Sequence, residues 1–449
     1  MLGRSIIIKP LFSVIAFTCL TTVILPVHAI ESEHTTLQIN SYTAFDDRIV
    51  IGSKQVQSSS SEQGQQRKLS INGKQVNLNL QANSNLDAAL PTDGSVEVLR
   101  GSLTEMNQSW ARLTRTASGI HGLIWDGSEL YAVEPSAEIR SLLASTLAAP
   151  SSNTIMFKLS DTTVDLGSDY CGTEGRMGDV APTGLATYQA LTSEISQTNG
   201  SSAGEQPSRR LELQALADAA FRAQYSSDQA ARDAIIIRLN NVDGIFTEQM
   251  GLQIQATDIT VYNTDPSSLS NSTNADNLLS SLGQLRKNTP GMSTYAATHL
   301  FTGRDLDGDT LGIAYIGNIC GSRYGTSLSE SRNRGAWIDS LVVAHELGHQ
   351  LGAVHDGTGI CANTSTQNYL MSPQINGSTE FSQCSHDSIL STMSSAACLV
   401  PLGTSETSIV AMANEPVESS SGGGGAYDAA FLILLSGFAA LRRASLIGQ

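Results

Sequence analysis

The chain has 449 residues, 40% of them hydrophobic, which is ample for a sizeable core, and its length alone suggests about three domains. Acidic residues outnumber basic ones by 42 to 26, a formal charge of −16, yet only 15% of residues are charged. That is a solvated, soluble surface, and with no basic stripe or basic–aromatic interleaving it excludes nucleic acid as a partner.

Residues 1–29 read as a secretory signal. Arg4 and Lys9 precede an apolar run over 11–25, and Val27-His28-Ala29 offers a small-residue cleavage site. Of the six cysteines, Cys19 belongs to this segment. Cys171 stands alone upstream, and Cys320, Cys361, Cys384 and Cys398 cluster downstream. Four cysteines admit three pairings, and the odd one asks for a free thiol with a task.

Residues 30–208 read as a separate β-rich domain. Alternation over 76–80 and 95–99 predicts strands, interrupted by Ser/Gln/Gly-rich stretches at 57–66 and 192–208. Pro207-Ser208-Arg209-Arg210 ends that linker with a candidate processing site.

Residues 209–401 alternate strand and helix signals. A first strand is expected over 211–218, then a helix over 228–250 striped by Ile235, Leu239, Val242 and Phe246. A strand over 252–262 and a helix over 274–287 follow. Residues 304–310 are acidic and glycine-containing but lack the spacing of a calcium loop, so they read as a turn. Residues 311–317 read as a strand.

The chemistry concentrates at His345-Glu346-Leu347-Gly348-His349-Gln350-Leu351-Gly352-Ala353-Val354-His355, which holds three of the eight histidines. Residues four apart share a helix face, so His345 and His349 present two imidazoles side by side. Glu346 lies about 100° round the helix, near the same metal but free to hold a water. Gly352 can end the helix in the left-handed conformation and let the chain bring His355 back. Three neutral nitrogens and one open position suit one catalytic Zn2+. Such a site needs a base, and Glu346 can take the water's proton and pass it to a leaving amine.

This string is the metzincin signature. The chain resembles the adamalysin (reprolysin, ADAM-like) metzincins over about 100–401, most strongly over 311–398. Residues 76–86 and 100–135 look like that group's propeptide. The resemblance implies an α/β catalytic domain with a twisted, mostly parallel sheet and a zinc cleft below an edge strand at 311–317. That edge would accept an extended protein or peptide substrate by β-augmentation. It implies that Cys171, followed by Gly172, supplies a thiolate to the zinc and keeps the proform latent, with the propeptide as the enzyme's own inhibitor. Asn368 to Pro373 matches the Met-turn, which puts Met371 beneath the metal as an apolar floor. Pro373 stands where some metzincins add a tyrosine ligand, so three histidines and a water are expected. The pattern also implies disulfides Cys320–Cys398 and Cys361–Cys384, and a terminal helix ending at Cys398. The group's structural Ca2+ finds only part of its ligand set: Glu212 matches, Ala296 stands where an Asp is expected, and no Asn closely follows Cys398.

Residues 402–425 form a polar, glycine-rich spacer. Residues 426–449 carry an apolar run at 429–441 and then Arg442-Arg443. The run is short for a stable span. The three-part order resembles the bacterial GlyGly-CTERM sorting tail, which implies a membrane contact before processing and a secreted or cell-surface protein of a Gram-negative bacterium. The leading reading is a secreted zinc endopeptidase made as a zymogen. Its rivals are a membrane-retained sheddase and a non-catalytic surface adhesin on the same fold.

Overall fold

The computed structural model describes residues 36–50, 67–165, 170–173 and 208–402, apart from Asn333 and Ile375. The expected signal segment, most of the linker and the sorting tail lie outside these residues. Among the described residues no helix is long and apolar enough to cross a membrane.

The first half is built from antiparallel pairings. β1 (Thr36–Ile39) pairs antiparallel with β10 (Thr162–Asp165). Between them run β2 (Thr43–Phe45), β3 (Arg67–Ile71), β4 (Lys74–Ala82), β5 (Glu97–Leu103), β6 (Trp110–Arg115), β7 (Ile120–Trp125), β8 (Leu130–Pro135) and β9 (Thr154–Lys158). They form one eight-stranded antiparallel sheet in the order β2-β9-β8-β7-β6-β5-β4-β3. Asn72 and Gly73 join β3 to β4 with φ of 50° and 75°, the positive pair that a tight hairpin turn requires. Both faces of this sheet are covered. Ala111 and Leu113 of β6 join a core with Leu78, Leu99, Ile124 and Val133. Their neighbours Trp110, Arg112 and Thr114 face the other way, onto a helix of the second half.

The second half is a parallel α/β layer. β11 (Arg209–Ala217), β12 (Leu252–Val261), β13 (Ala297–Thr302) and β15 (Thr326–Glu330) pair in parallel, in the order β12-β11-β13-β15. β14 (Gly312–Ala314) adds antiparallel to β15 as the edge strand, and β16 (Val400–Pro401) pairs with the start of β11. α1 (Asp228–Met250) and α3 (Ala336–Gln350) cover one face; α2 (Ala275–Asn288) covers the other with Leu278, Leu279 and Leu282 on Leu300 and Leu328. Side chains cap the helices as the sequence allows: Ser227 accepts from Ala230 N–H, and Gly251 ends α1 at φ 59°. The final helix, α4 (Gln383–Ser395), stops three residues short of the expected Cys398. Strand β14 is shorter than the expected 311–317 because Tyr315 and Ile316 leave β15, while Gly317 N–H donates to His349 O at 2.8 Å.

Two expectations gain structural detail. The described parts of 30–208 pack with 209–402 as one compact unit, in which Trp110, Leu123 and Phe157 share a core with Leu239, Val242 and Trp337. The processing site at Arg209-Arg210 falls inside β11, where Arg209 pairs with Leu252 and Pro401, and Arg210 with Gln253 and Val400. A cut after Arg210 would have to open the sheet.

Candidate active site

Helix α3 is buried along its whole length, which is why its sequence is apolar wherever it carries no chemistry. It ends at Gln350, Gly352 just beyond takes φ 96°, and the turn after it returns His355 toward the helix. His345, His349 and His355 then present their Nε2 atoms to one another: 3.0 Å between His345 and His349, and 3.2 Å from His355 to each. These are not hydrogen bonds. His345 Nδ1 donates to Leu370 O at 2.7 Å and His349 Nδ1 to Ala353 O at 2.8 Å, so both Nε2 atoms are lone pairs. Burial holds both imidazoles neutral, His345 far below its ordinary range and His349 down to about 3.

Lone pairs converging at such distances call for a cation. Nitrogens about 2.0–2.1 Å from a tetrahedral zinc stand roughly 3.3 Å apart, close to the spacing here. The second-nitrogen bonds to carbonyls are the kind that fix the tautomer of metal-ligating histidines. Cys171 Sγ completes the group, with the four ligand atoms all within 4.8 Å of one another. The donor set therefore fits zinc.

Cys171 reaches the histidines because residues 170–173 lie along the edge strand. Gly172 N–H donates to Gly312 O at 2.9 Å, Gly312 N–H donates to Tyr170 O at 3.1 Å, and Cys171 and Gly312 form a parallel bridge. Thr173 Oγ1 accepts from Ala314 N–H at 3.0 Å. The edge expected to receive substrate is thus occupied by the chain itself. Cys171 Sγ lies 3.4 Å from His349 Nε2 and donates to Thr173 Oγ1 at 3.0 Å. Burial pushes its thiol well above the usual range and the Glu346 charge adds to this, so the sulfur holds its proton until a cation displaces it. Tyr170 is fully packed beside it: its oxygen is 2.7 Å from His345 Nδ1, and its own proton goes to Ser372 O at 3.1 Å.

Glu346 points at the same group. Burial raises its carboxyl to about 8, and Oε1 is buried with no protein hydrogen-bond partner. The carboxylate gets there only because residue 312 lacks a side chain: a Cβ on Gly312 would stand 2.4 Å from Glu346 Oε1. A similar economy seats the Met-turn, since a Cβ on Gly348 would meet Met371 Sδ at 2.7 Å. Met371 is fully buried and lies against Gly348 of α3. Asp356 anchors the turn after His355. Its N–H donates to Met371 O at 2.9 Å, and its carboxylate, raised by burial, accepts from Ser382 Oγ at 2.6 Å.

The structure joins Cys320 to Cys398 and Cys361 to Cys384, leaving Cys171 as the free cysteine among the described residues. The first bond ties the loop after β14 to the segment following α4. The second ties the loop after His355 to α4. At the calcium positions of the resemblance, Glu212 pairs with Arg210 at 3.3 Å, and Ala296 offers no side-chain oxygen. The acidic turn at 304–310 spends its charges separately, Asp305 on Arg332 and Asp307 on Thr273.

Sequence reasoning named the histidines, Glu346, Cys171 and Met371, and the fold gathers all of them. It passed over Tyr170, Thr173 and Gly312. Tyr170 and Thr173 flank the Cys-Gly pair already singled out, so their neighbourhood was a usable signal. Gly312 had none beyond being a glycine in a strand, which marks a close approach.

Residues 207–382 match the Reprolysin_5 family model, metallo-peptidase family M12. The match takes in the three histidines, Glu346 and Met371, and supports a reprolysin-like metalloprotease. Cys171 and the eight-stranded sheet lie upstream of it.

Proposed function

We propose that this chain is an exported zinc endopeptidase, made latent by its own N-terminal half, that hydrolyses internal peptide bonds of protein substrates. The observation that carries the reading is the buried meeting of the three histidine Nε2 atoms, the Glu346 carboxylate and the Cys171 sulfur. His345, His349 and His355 hold the ion. Zinc, when bound there, lowers the pKa of a water toward about 7 and polarises the scissile carbonyl. Glu346 accepts the proton of the attacking water and delivers it to the departing amine. Once residues 170–173 leave it, the backbone of β14 orients an extended substrate without reading its side chains. Cys171 blocks both uses of the cleft, because the residues around its sulfur occupy the edge strand as well. The charge and apolar pattern of residues 1–29 and 426–449 supports work outside the cytoplasm.

A non-catalytic adhesin on this fold has no use for a Glu346 whose Oε1 is buried without a hydrogen-bond partner beside Cys171 and the histidines. Glu346→Gln tests the point in the processed protein. The amide is nearly isosteric but accepts no proton, so casein turnover should fall by about 10²–10⁴-fold. Zinc content, measured by mass spectrometry in parallel, should stay at the wild-type value. Undiminished turnover would remove Glu346 from the mechanism.

A further inference from the structure

Ser118, His121 and Glu134 of the antiparallel sheet form a second chain of hydrogen bonds, which includes none of the zinc-site residues. Strands β6 and β7 are joined by the tight turn Ala117-Ser118, closed by Thr116 N–H donating to Gly119 O at 2.9 Å. The turn leaves Ser118 exposed, whereas His121 and Glu134 are buried. Glu134 accepts twice: Oε1 takes the Trp337 N–H at 3.0 Å, and Oε2 lies 2.8 Å from His121 Nδ1. A carboxylate has no proton to give, so Nδ1 carries the proton of that bond and Nε2 of the neutral ring keeps a lone pair. Ser118 Oγ stands 3.0 Å from Nε2. Thr116 favours the direction this needs. Its Oγ1 accepts from Ser118 N–H at 3.2 Å and lies 3.0 Å from Ser118 Oγ, so its own proton can go to Ser118 and the Ser118 proton to His121.

Hydroxyl, imidazole and carboxylate linked in that order are the parts of an activated nucleophile. The imidazole takes the hydroxyl proton, and the carboxylate fixes the tautomer and stabilises the imidazolium. Such a group is recognised by its geometry, whatever the order of its members in the sequence. Here it also opens on a cavity. Ser118 and His121 line a space of about 530 Å³ between the sheet and helices α1 and α3, in the size range of small-molecule sites. Ala336 lines it too, and its N–H is among those a helix leaves without an internal acceptor. The positive end of the 15-residue α3 therefore favours an oxyanion beside Ser118. Glu138 and Asp233 add two carboxylates to the lining, while Arg238 in the wall is already paired with Asp339 at 2.7 Å. A substrate bearing its own carboxylate is thus disfavoured.

We propose that Ser118, His121 and Glu134 form a second hydrolytic site, with Ser118 the nucleophile toward small neutral or cationic acyl esters. In the first step Ser118 Oγ bonds to the acyl carbon as His121 Nε2 takes its proton. The ester C–O bond then breaks, and the departing alcohol takes that proton from Nε2. In the second step Nε2 takes a proton from water, whose oxygen bonds to the acyl carbon. The bond from the acyl carbon to Ser118 breaks, and the proton returns to Oγ. One ester and one water give one acid and one alcohol.

The test uses the intact, full-length chain and p-nitrophenyl acetate, with and without prior removal of metal by a chelator. A burst of nitrophenolate approaching one per chain should precede steady release. Peptide mass spectrometry should find the acetyl group on Ser118, and the chelator should change neither result. Ser118→Ala removes an exposed hydroxyl, so its melting temperature should match wild type while release falls by at least about 10²-fold. Mono-p-nitrophenyl succinate, which carries a carboxylate, should turn over about tenfold more slowly than the acetate. Acetyl groups confined to lysines, or a wild-type rate in Ser118→Ala, overturn the proposal. Loss of release on metal removal assigns the activity to the histidine site and overturns it equally. Equal rates on the two esters overturn the substrate class.

Discussion

The two large sheets among the described residues bury polar groups in opposite places. In the antiparallel sheet the strands are apolar toward their own core, and polar residues such as Arg112, Thr114, His121 and Glu134 sit on the face that meets the helices. In the parallel sheet the polar residues lie within the central strands. His299 of β13 is bonded through both ring nitrogens to Ser327 Oγ at 2.8 Å and Ser329 Oγ at 2.9 Å of β15. Thr298 accepts from Arg286 at 2.7 Å, and Glu330 accepts from Leu306 N–H at 2.8 Å. The first arrangement makes a specific seam between two bodies. The second stiffens the layer behind the cleft, where buried polar groups must all be paired.

The comparison breaks most sharply at two glycines. In the parallel sheet, Gly312→Ala drives a methyl group into the Glu346 carboxylate. A displacement of that order costs about 10²-fold in turnover while zinc content holds. In the antiparallel sheet, Gly101→Ala puts a Cβ 2.0 Å from the Asn79 carbonyl oxygen, so the backbone must move. That is an overpacking cost of about 1–3 kcal/mol, read as a lower melting temperature, with zinc content and processed-enzyme turnover unchanged. Equal turnover in the two variants would remove the functional difference between the sheets.

The disulfides sharpen it next, since both lie in the second half. Cys320–Cys398 closes 78 residues and Cys361–Cys384 closes 23. In the chain-entropy model these stabilise by about 4–5 and about 3–4 kcal/mol. Replacing each pair by alanine should lower the denaturant midpoint in that order, and the reverse order would show that native-state contacts outweigh loop length.

A pH dependence tests the parallel layer alone. Burial lowers His299 to about 3 from an ordinary 6.5. Below about pH 6.5 the unfolded chain takes up a proton that the fold refuses, so this contribution is full above that pH and is lost as pH falls toward 3. His299→Gln, which can still meet the two serines, should melt with a flatter dependence between pH 7 and pH 4. An identical slope would clear His299 of the acid sensitivity.

This division also explains what was legible from sequence. Helix α1 was placed at both ends by its helical spacing and apolar stripe, and the structure caps it there with Ser227 and Gly251. The zinc motif was legible because its chemistry fixes its spacing. Strands β13 and β15 were passed over: Thr298, His299, Thr302, Ser327 and Ser329 look like loop residues until their partners in neighbouring strands are known. The shared core was hidden for a related reason. Asn240, Asp243 and Gly244 read as the solvent face of an amphipathic helix, and only the fold shows Arg112 and Asn83 covering them. The resemblance carried Cys171 to the zinc, but it said nothing of Gly312, whose role is the absence of a side chain.

The central claim is that one metal is held by His345, His349 and His355, with Cys171 in the remaining position of the intact chain. Cobalt replaces zinc in such sites and reports thiolate ligation directly through a sulfur-to-cobalt charge-transfer band in the near ultraviolet. The intact, cobalt-loaded chain should bind one ion and show that band, and Cys171→Ala should bind one ion without it. A band that survives the substitution, or an intact chain that binds cobalt with no band at all, would contradict the account.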